Sequence, residues 1–265
     1  MGSLLSISSS FTVSIDDKIE DFIYMPPDTR GKIENFRELG TTRSKLIYHQ
    51  TKDNKTICGV VIYPYYNNNP DKYIVFSHGN ASDIYSMFYF MKDLSDKLGV
   101  GIIGYDYIGF GMSHDEKPSE RGCYDSMEAI MDYILNELYI DKKNIYLLGQ
   151  SLGTGIAIDY VFKHNWTNPI ILVSPYKSIC RVVADTSLVA PIDKFNTLKK
   201  LGSITCPVKI FHGDLDKVIS ITHGKEIYEN LKNKTFDPVW FKNVGHNDIL
   251  YKIENAHYFE VLNHS

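Results

Sequence analysis

Asn144-Ile145-Tyr146-Leu147-Leu148-Gly149-Gln150-Ser151-Leu152-Gly153-Thr154-Gly155 is the stretch that decides the fold. Its first part, Ile145 to Leu148, is an apolar run of strand length. Gly149-Gln150-Ser151-Leu152-Gly153 then fits G-x-S-x-G, and apolar residues at Ile156, Ala157, Tyr160 and Val161 continue with a helical spacing. Strand, tight turn and helix are the setting in which this pattern means a nucleophile elbow, a strained turn that lifts a serine hydroxyl above the strand ends. The residues two before and two after the serine must be small, because the strand and helix backbones approach closely there.

Outward from the elbow the same alternation repeats. Tyr73–Ser77, Gly101–Tyr105, Ile170–Val173, Val208–His212 and Val239–Phe241 read as short buried strands. Helical patterns run over Asp83–Leu98, Ile221–Leu231 and Asp248–Leu262. Another carries Met127, Ile130, Met131, Ile134, Leu135 and Leu138 as a core-facing stripe. Upstream, Lys45–His49 and Thr56–Tyr63 read as a hairpin turned at Asp53-Asn54. Strands alternating with helices predict an α/β architecture, a mostly parallel sheet with helices on both faces and an antiparallel start. Sites in such sheets lie at the carboxyl ends of the strands. Residues 179–205 mix apolar and basic residues without a strong repeat.

A chain of 265 residues that is 43% hydrophobic buries a full core. We expect one domain over residues 19–265 behind a flexible, serine-rich lead over 1–18, with the apolar run Ile19–Met25 docked on the body. A net charge of −4 without a basic stripe argues against a nucleic-acid partner. No apolar run approaches the roughly 18 residues of a membrane span. Cys58, Cys123, Cys180 and Cys206 are scattered without C-x-x-C spacing, which fits buried thiols in a reducing, cytoplasmic compartment. Met1-Gly2-Ser3-Leu4-Leu5-Ser6 fits the signal for myristoylation of Gly2. One such chain gives only marginal, reversible membrane binding.

Serine needs a base to take its proton and a third group to orient that base. With a G-x-S-x-G elbow the chain order is serine, acid, histidine. Downstream of Ser151, Asp214 and Asp216 follow one strand and His246 follows the next. Asp216 is the expected acid, and Asp214, nearer the strand end, is the alternative that would cap or turn the loop. His246 is the expected base, since His223 and His257 fall inside helices. Developing oxyanion charge calls for backbone donors. The amide of Leu152, directly after the nucleophile, and that of Asn80, in His78-Gly79-Asn80 after a strand, are assigned to this role. His78 is expected to brace its loop. The pairs His212/Asp214 and His246/Asp248 lack a third ligand cluster, so no metal and no cofactor is expected.

Five blocks together resemble one family: Ser77-His78-Gly79-Asn80-Ala81; Tyr105-Asp106-Tyr107 with Gly109, Gly111 and Ser113; Lys117-Pro118-Ser119-Glu120-Arg121; Gly149 to Thr154; and Val244-Gly245-His246-Asn247-Asp248. With Tyr24-Met25-Pro26-Pro27, they are similar to the α/β-hydrolase domain-containing protein 17 family over roughly residues 19–262. The elbow is shared across the whole superfamily, whereas the combination of S-H-G-N-A, P-S-E-R and G-H-N-D is narrower. The resemblance implies the α/β-hydrolase fold, the triad Ser151, Asp216 and His246, and removal of palmitate from cytoplasmic cysteines of membrane-associated proteins. That family carries a palmitoylated N-terminal cysteine cluster. Here no cysteine precedes Cys58, and Gly2 would take over the anchoring.

Only 33 residues separate Ser174 from Val208, too few for a large lid domain. An open serine suits an acyl chain on a protein and also a small ester. The expected partners are S-acylated membrane-associated proteins or small acyl esters, with peripheral membrane contact and a monomeric chain. Met87, Phe88, Phe90 and Met91 would line an acyl groove, touch a membrane or form a helix core face. Five large apolar residues in a row, Met87 to Met91, are not expected all to face inward.

Overall fold

The computed structural model describes residues 23–114, 116–183 and 193–264. Gly2, the lead over 1–18 and residues 19–22 lie outside the described residues. Ile23 and Tyr24 are buried, so the described end of the apolar N-terminal run docks on the body.

A short helix α1 (Ile33–Glu38) precedes the hairpin β1 (Ser44–Gln50) and β2 (Thr56–Ile62), whose turn holds Asn54 at φ 60°. Then follow β3 (Tyr73–Ser77), α2 (Ile84–Leu98), β4 (Gly101–Tyr105), α3 (Glu120–Asn136), β5 (Ile145–Gln150), α4 (Leu152–His164) and β6 (Ile170–Val173). Two short helices, α5 (Ile179–Val183) and α6 (Leu198–Leu201), come before β7 (Val208–Gly213). The chain closes with α7 (Ile221–Asn230), β8 (Val239–Phe241) and α8 (Asn255–Leu262). The strands form one eight-stranded sheet in the order β1-β2-β4-β3-β5-β6-β7-β8. β1–β2 and β2–β4 are antiparallel and the remaining pairs parallel. Among the described residues nothing between β6 and β7 forms a large lid domain.

The central strands are apolar on both faces because each face is covered. Ile145 and Leu147 of β5 enter one core with Met127, Ile130 and Ile134 of α3 and Ile156 of α4. Tyr146 and Leu148 point the other way, into a core shared with Met91 and Leu94 of α2 and Tyr258 and Val261 of α8. Successive strand residues thus feed opposite cores, as a period of two requires. Each fully buried Ile or Leu contributes about 1.5–3 kcal/mol, so a charge placed at Leu147 would dismantle the layer.

Local chemistry sets the helix ends. Asp83 caps α2 with a reciprocal bond to Ser86, and Gly99 ends that helix in the left-handed conformation at φ 68°. Ser119 caps α3 by accepting from the Gly122 amide. The run Met87 to Met91 splits as expected, since its five residues do not all face inward. Met87, Phe88, Phe90 and Met91 are all buried in the core, and only Tyr89 turns outward, at 79% exposure. The cause is that α2 is covered twice, by the sheet and along its flank by α8. These four side chains thus form the core face of the helix. The last helix differs from its expected span: a 3-10 turn at Ile249–Tyr251 is separated from α8. Ile249, Leu250 and Ile253 enter the same core as Tyr258 and Val261, so the apolar pattern reads straight through the break.

One feature of the topology positions the site. From β3 the chain crosses to β4 on one side and returns to β5 on the other. The β3–β5 boundary is therefore the switch point, where the outgoing loops diverge and leave a crevice. Register pairs Ser77 with Gly149, so the two strands end level with each other.

Candidate active site

Ser151 occupies the turn between β5 and α4 with φ 49° and ψ −118°, a strained conformation for a residue with a side chain. The fold over-determines it. The Ser151 amide donates to the Val173 carbonyl (2.9 Å), and the Thr154 amide and hydroxyl both donate back to the Ser151 carbonyl (2.9 and 2.7 Å). A Cβ at Gly153 would stand 2.0 Å from the Ser77 carbonyl oxygen, and one at Gly149 would stand 2.6 Å from that of Gly153. Both small residues are therefore required by close backbone approach.

The structure brings the three expected side chains together. Ser151 Oγ lies 3.1 Å from His246 Nε2, and His246 Nδ1 lies 2.7 Å from Asp216 Oδ2. Because a carboxylate only accepts, the His246 proton sits on Nδ1, leaving Nε2 to accept from the serine hydroxyl. The other oxygen of Asp216, Oδ1, accepts from the amides of Val218 (2.9 Å) and Ile219 (2.7 Å). Burial pushes this carboxyl up. Hydrogen bonds from His212 and His246, the charge of His246 and the Ile219 amide outweigh that push and hold it well below the usual carboxylate range. Asp214, the alternative acid, is exposed and accepts from the Asn243 amide at 2.7 Å, which pins the turn after β8. His223 and His257 lie in α7 and α8.

The loop after β3 stands beside the elbow. A Cβ on Gly79 would come within 3.7 Å of the Ser151 Cβ. Leu152 opens α4, whose first-turn amides have no helical acceptors. The Asn80 side chain binds the N-terminal segment: its Oδ1 accepts from the Met25 amide (3.1 Å) and its Nδ2 donates to the Ile23 carbonyl (2.6 Å).

His78 is fully enclosed under this loop. Its Nδ1 bonds the Gly79 carbonyl at 2.8 Å and its ring stacks on Tyr107 with centroids 4.1 Å apart. Burial lowers its pKa to about 4, against the opposing pull of the Gly79 carbonyl and of Asp83. The ring is neutral and braces the loop. The Tyr107 hydroxyl adds a second brace by donating to the His78 carbonyl (2.6 Å). Asp106, whose Oδ1 is 3.8 Å from His78 Nε2, accepts from the amides of Ile84 and Met112. Burial, with the nearby charge of Asp83, raises it to about 7.

Sequence reasoning missed His212 as part of this constellation. It is completely buried, and its Nε2 donates to the Ile219 carbonyl (2.8 Å) while lying 3.5 Å from Asp216 Oδ2. It therefore clasps the loop that presents Asp216. The available signal was the spacing H-G-x-x-D, which carries the histidine and the acid around one turn. Among the described residues no group of three or more His, Cys, Asp or Glu is arranged to hold a metal ion, and no helix is long and apolar enough to cross a membrane.

A family model described as the alpha/beta hydrolase fold matches residues 72–171, from β3 through the elbow to β6. A protein of Acanthamoeba polyphaga mimivirus named as an alpha/beta hydrolase is 55% identical over 257 residues, covering 96% of each chain. Alpha/beta hydrolase domain-containing protein 17C of Xenopus tropicalis is 37% identical over 191 residues, covering 71% of this chain and 59% of the relative, so the match spans little more than half of that protein. Among solved structures, an esterase from Pyrococcus furiosus superposes with a TM-score of 0.68 at 19% identity, covering 86% of this chain and 92% of the esterase, a likeness of fold. The chain belongs to the α/β-hydrolase family.

Proposed function

We propose that the protein is a serine hydrolase that removes fatty acyl groups, palmitoyl in particular, from protein cysteines. The observation that carries the hydrolase chemistry is the Ser151–His246–Asp216 relay at 3.1 and 2.7 Å, on a serine held in an elbow at the switch point. Ser151 Oγ attacks the acyl carbonyl as its proton passes to His246 Nε2. Charge on the carbonyl oxygen develops towards the amides of Leu152 and Asn80. The intermediate collapses to an acyl-serine, and His246 returns the proton to the departing thiolate. Water, deprotonated by His246, then releases the fatty acid and regenerates the serine. Asp216, ionised throughout, keeps the imidazole in the tautomer that accepts.

The thioester assignment rests on the similarity to the domain-containing protein 17 family. Peripheral attachment to a cytoplasmic membrane face through myristoylated Gly2, and action as a monomer, belong to the same reading; incorporation of labelled myristate that Gly2→Ala abolishes tests the attachment. A second reading, a carboxylester or lysophospholipid hydrolase using the same triad, is supported by the esterase likeness and the short β6–β7 connection. Hydrolysis of a palmitoyl-cysteine peptide beside its palmitoyl-serine counterpart, with Ser151→Ala as control, separates the two. Ser151-dependent preference for the thioester supports depalmitoylation, and equal or faster cleavage of the oxygen ester transfers the assignment to esters.

A further inference from the structure

The N-terminal segment over residues 23–31 lies across the carboxyl ends of β3 and β4 as a strap. Tyr24 packs edge-on against Phe110 (6.3 Å) and Phe195 (6.4 Å). The Thr29 hydroxyl donates to Asp83, the Gly31 amide donates to the Gly111 carbonyl (2.8 Å), and Arg30 donates to the carbonyls of His114 and Glu116. At the catalytic end the strap is joined to the body by Asn80, which both accepts from Met25 and donates to Ile23. A carboxamide side chain can answer one backbone N–H and one backbone C=O of a neighbouring segment at once.

These contacts concern the same residue whose backbone amide the proposed mechanism places at the oxyanion. A peptide unit with its side chain anchored at two points loses rotational freedom about its neighbouring bonds, and the direction of its N–H is fixed with it. Below the loop, His78 on Tyr107 fixes the other side. We propose that Asn80 is a positioning residue: its side chain latches the strap over residues 23–31 to the loop, and the latch aims the residue 80 amide at the reacting carbonyl oxygen. The strap is then a working wall of the active site, supplied by a segment 55 residues away in sequence. This inference rests on the serine-hydrolase reading.

The test measures kcat and KM for a short p-nitrophenyl ester, normalised to active sites titrated with a fluorophosphonate, on the full chain. Asn80→Ala keeps the backbone amide and removes both latch bonds; kcat per titrated site is expected to fall about tenfold to a hundredfold with KM within about twofold, the size of effect that misalignment produces. Met25→Pro removes the N–H that reaches Asn80 Oδ1 together with the side chain, and Met25→Ala removes the side chain but keeps that N–H. Met25→Pro is expected to fall well below Met25→Ala, and the double variant Met25→Pro/Asn80→Ala to match Asn80→Ala alone, because both changes open one latch. Unchanged kcat per titrated site in Asn80→Ala, even with a lowered titratable fraction or melting temperature, would overturn the proposal by making the latch purely structural. Additive losses in the double variant would overturn it too. Ser151→Ala keeps the outcomes distinct: if that variant still hydrolyses the ester, the serine-hydrolase reading fails first and the latch inference falls with it.

Discussion

Replacing Asp216 by asparagine tests the acid of the relay with little change of shape. In the native site Oδ1 accepts two backbone amides at 2.9 and 2.7 Å, and Oδ2 accepts His246 Nδ1 at 2.7 Å. An asparagine has one acceptor oxygen and one donor NH2. Turning the NH2 towards Val218 and Ile219 would leave two donors facing a third in a buried site, at about 1–3 kcal/mol for each unsatisfied group. The oxygen therefore stays on the amides and the NH2 faces His246. The imidazole answers by moving its proton from Nδ1 to Nε2, where it points at Ser151 and can no longer accept. The expected loss in kcat is about 10⁴-fold, or roughly 5.5 kcal/mol of transition-state stabilisation. Folding stability falls by only about 1–2 kcal/mol, since the backbone bonds survive. The assay is p-nitrophenyl ester hydrolysis beside a thermal melt, with Asp214→Asn as companion; Asp214 only pins a turn, and its variant should keep kcat within about threefold. A loss below tenfold in Asp216→Asn, or equal losses in both variants, would refute the tautomer argument.

Two more substitutions and one pH profile probe the same site. Gly153→Ala drives a methyl to 2.0 Å from the Ser77 carbonyl oxygen and should lower stability by about 3 kcal/mol or more, roughly 6–12 °C in Tm by calorimetry. His212→Leu strips the donor from the buried Ile219 carbonyl and from Asp216; a Tm drop matching about 1–3 kcal/mol and a kcat loss of about tenfold are expected, with partial recovery in His212→Gln. The third concerns pH. His78, lowered from 6.5 to about 4, contributes stability that is full above pH 6.5 and lost as pH falls through 4, whereas Asp106, raised from 3.8 to about 7, contributes stability that is full below 3.8 and lost as pH rises through 7. The two oppose each other between pH 4 and 6.5, so Asp106→Asn, which removes only the second, should make Tm fall more steeply on acidification across that window than in the native chain. A flatter profile in the variant would show that the sign for His78 is wrong.

The sheet was legible because its central strands are continuous apolar runs and each is closed by glycine, proline or a polar turn. The three side chains of the relay were legible because Ser151, Asp216 and His246 each follow such a run in the order the elbow demands. Asp214 and Asp216 are separated by one residue and no local pattern explains their difference, yet only Asp216 turns inward to meet Val218, Ile219 and His246. Helices of five or six residues, such as α1 and α5, are too short to display a period. The break before α8 was invisible because Ile249, Leu250 and Ile253 continue the face of Tyr258 and Val261. His212 read as one more strand residue or half of a metal pair, since burial against Ile219 leaves no mark on a local pattern. The Asn80 latch was hidden for a different reason: its partners, Ile23 and Met25, are more than fifty positions away, and an asparagine in a loop looks the same with or without them.

The two halves of the relay are built on parts of the sheet with unequal resistance to fraying. Ser151 stands on β5, hydrogen-bonded on both sides and sealed between two cores. His246 hangs from the turn after β8, three half-covered residues at the sheet margin with, among the described residues, a strand neighbour on one side only. Local opening at such a margin costs less than global unfolding. On the proposed mechanism, opening there would leave the nucleophile in place and take its base away, so heat is expected to silence ester turnover before it melts the core.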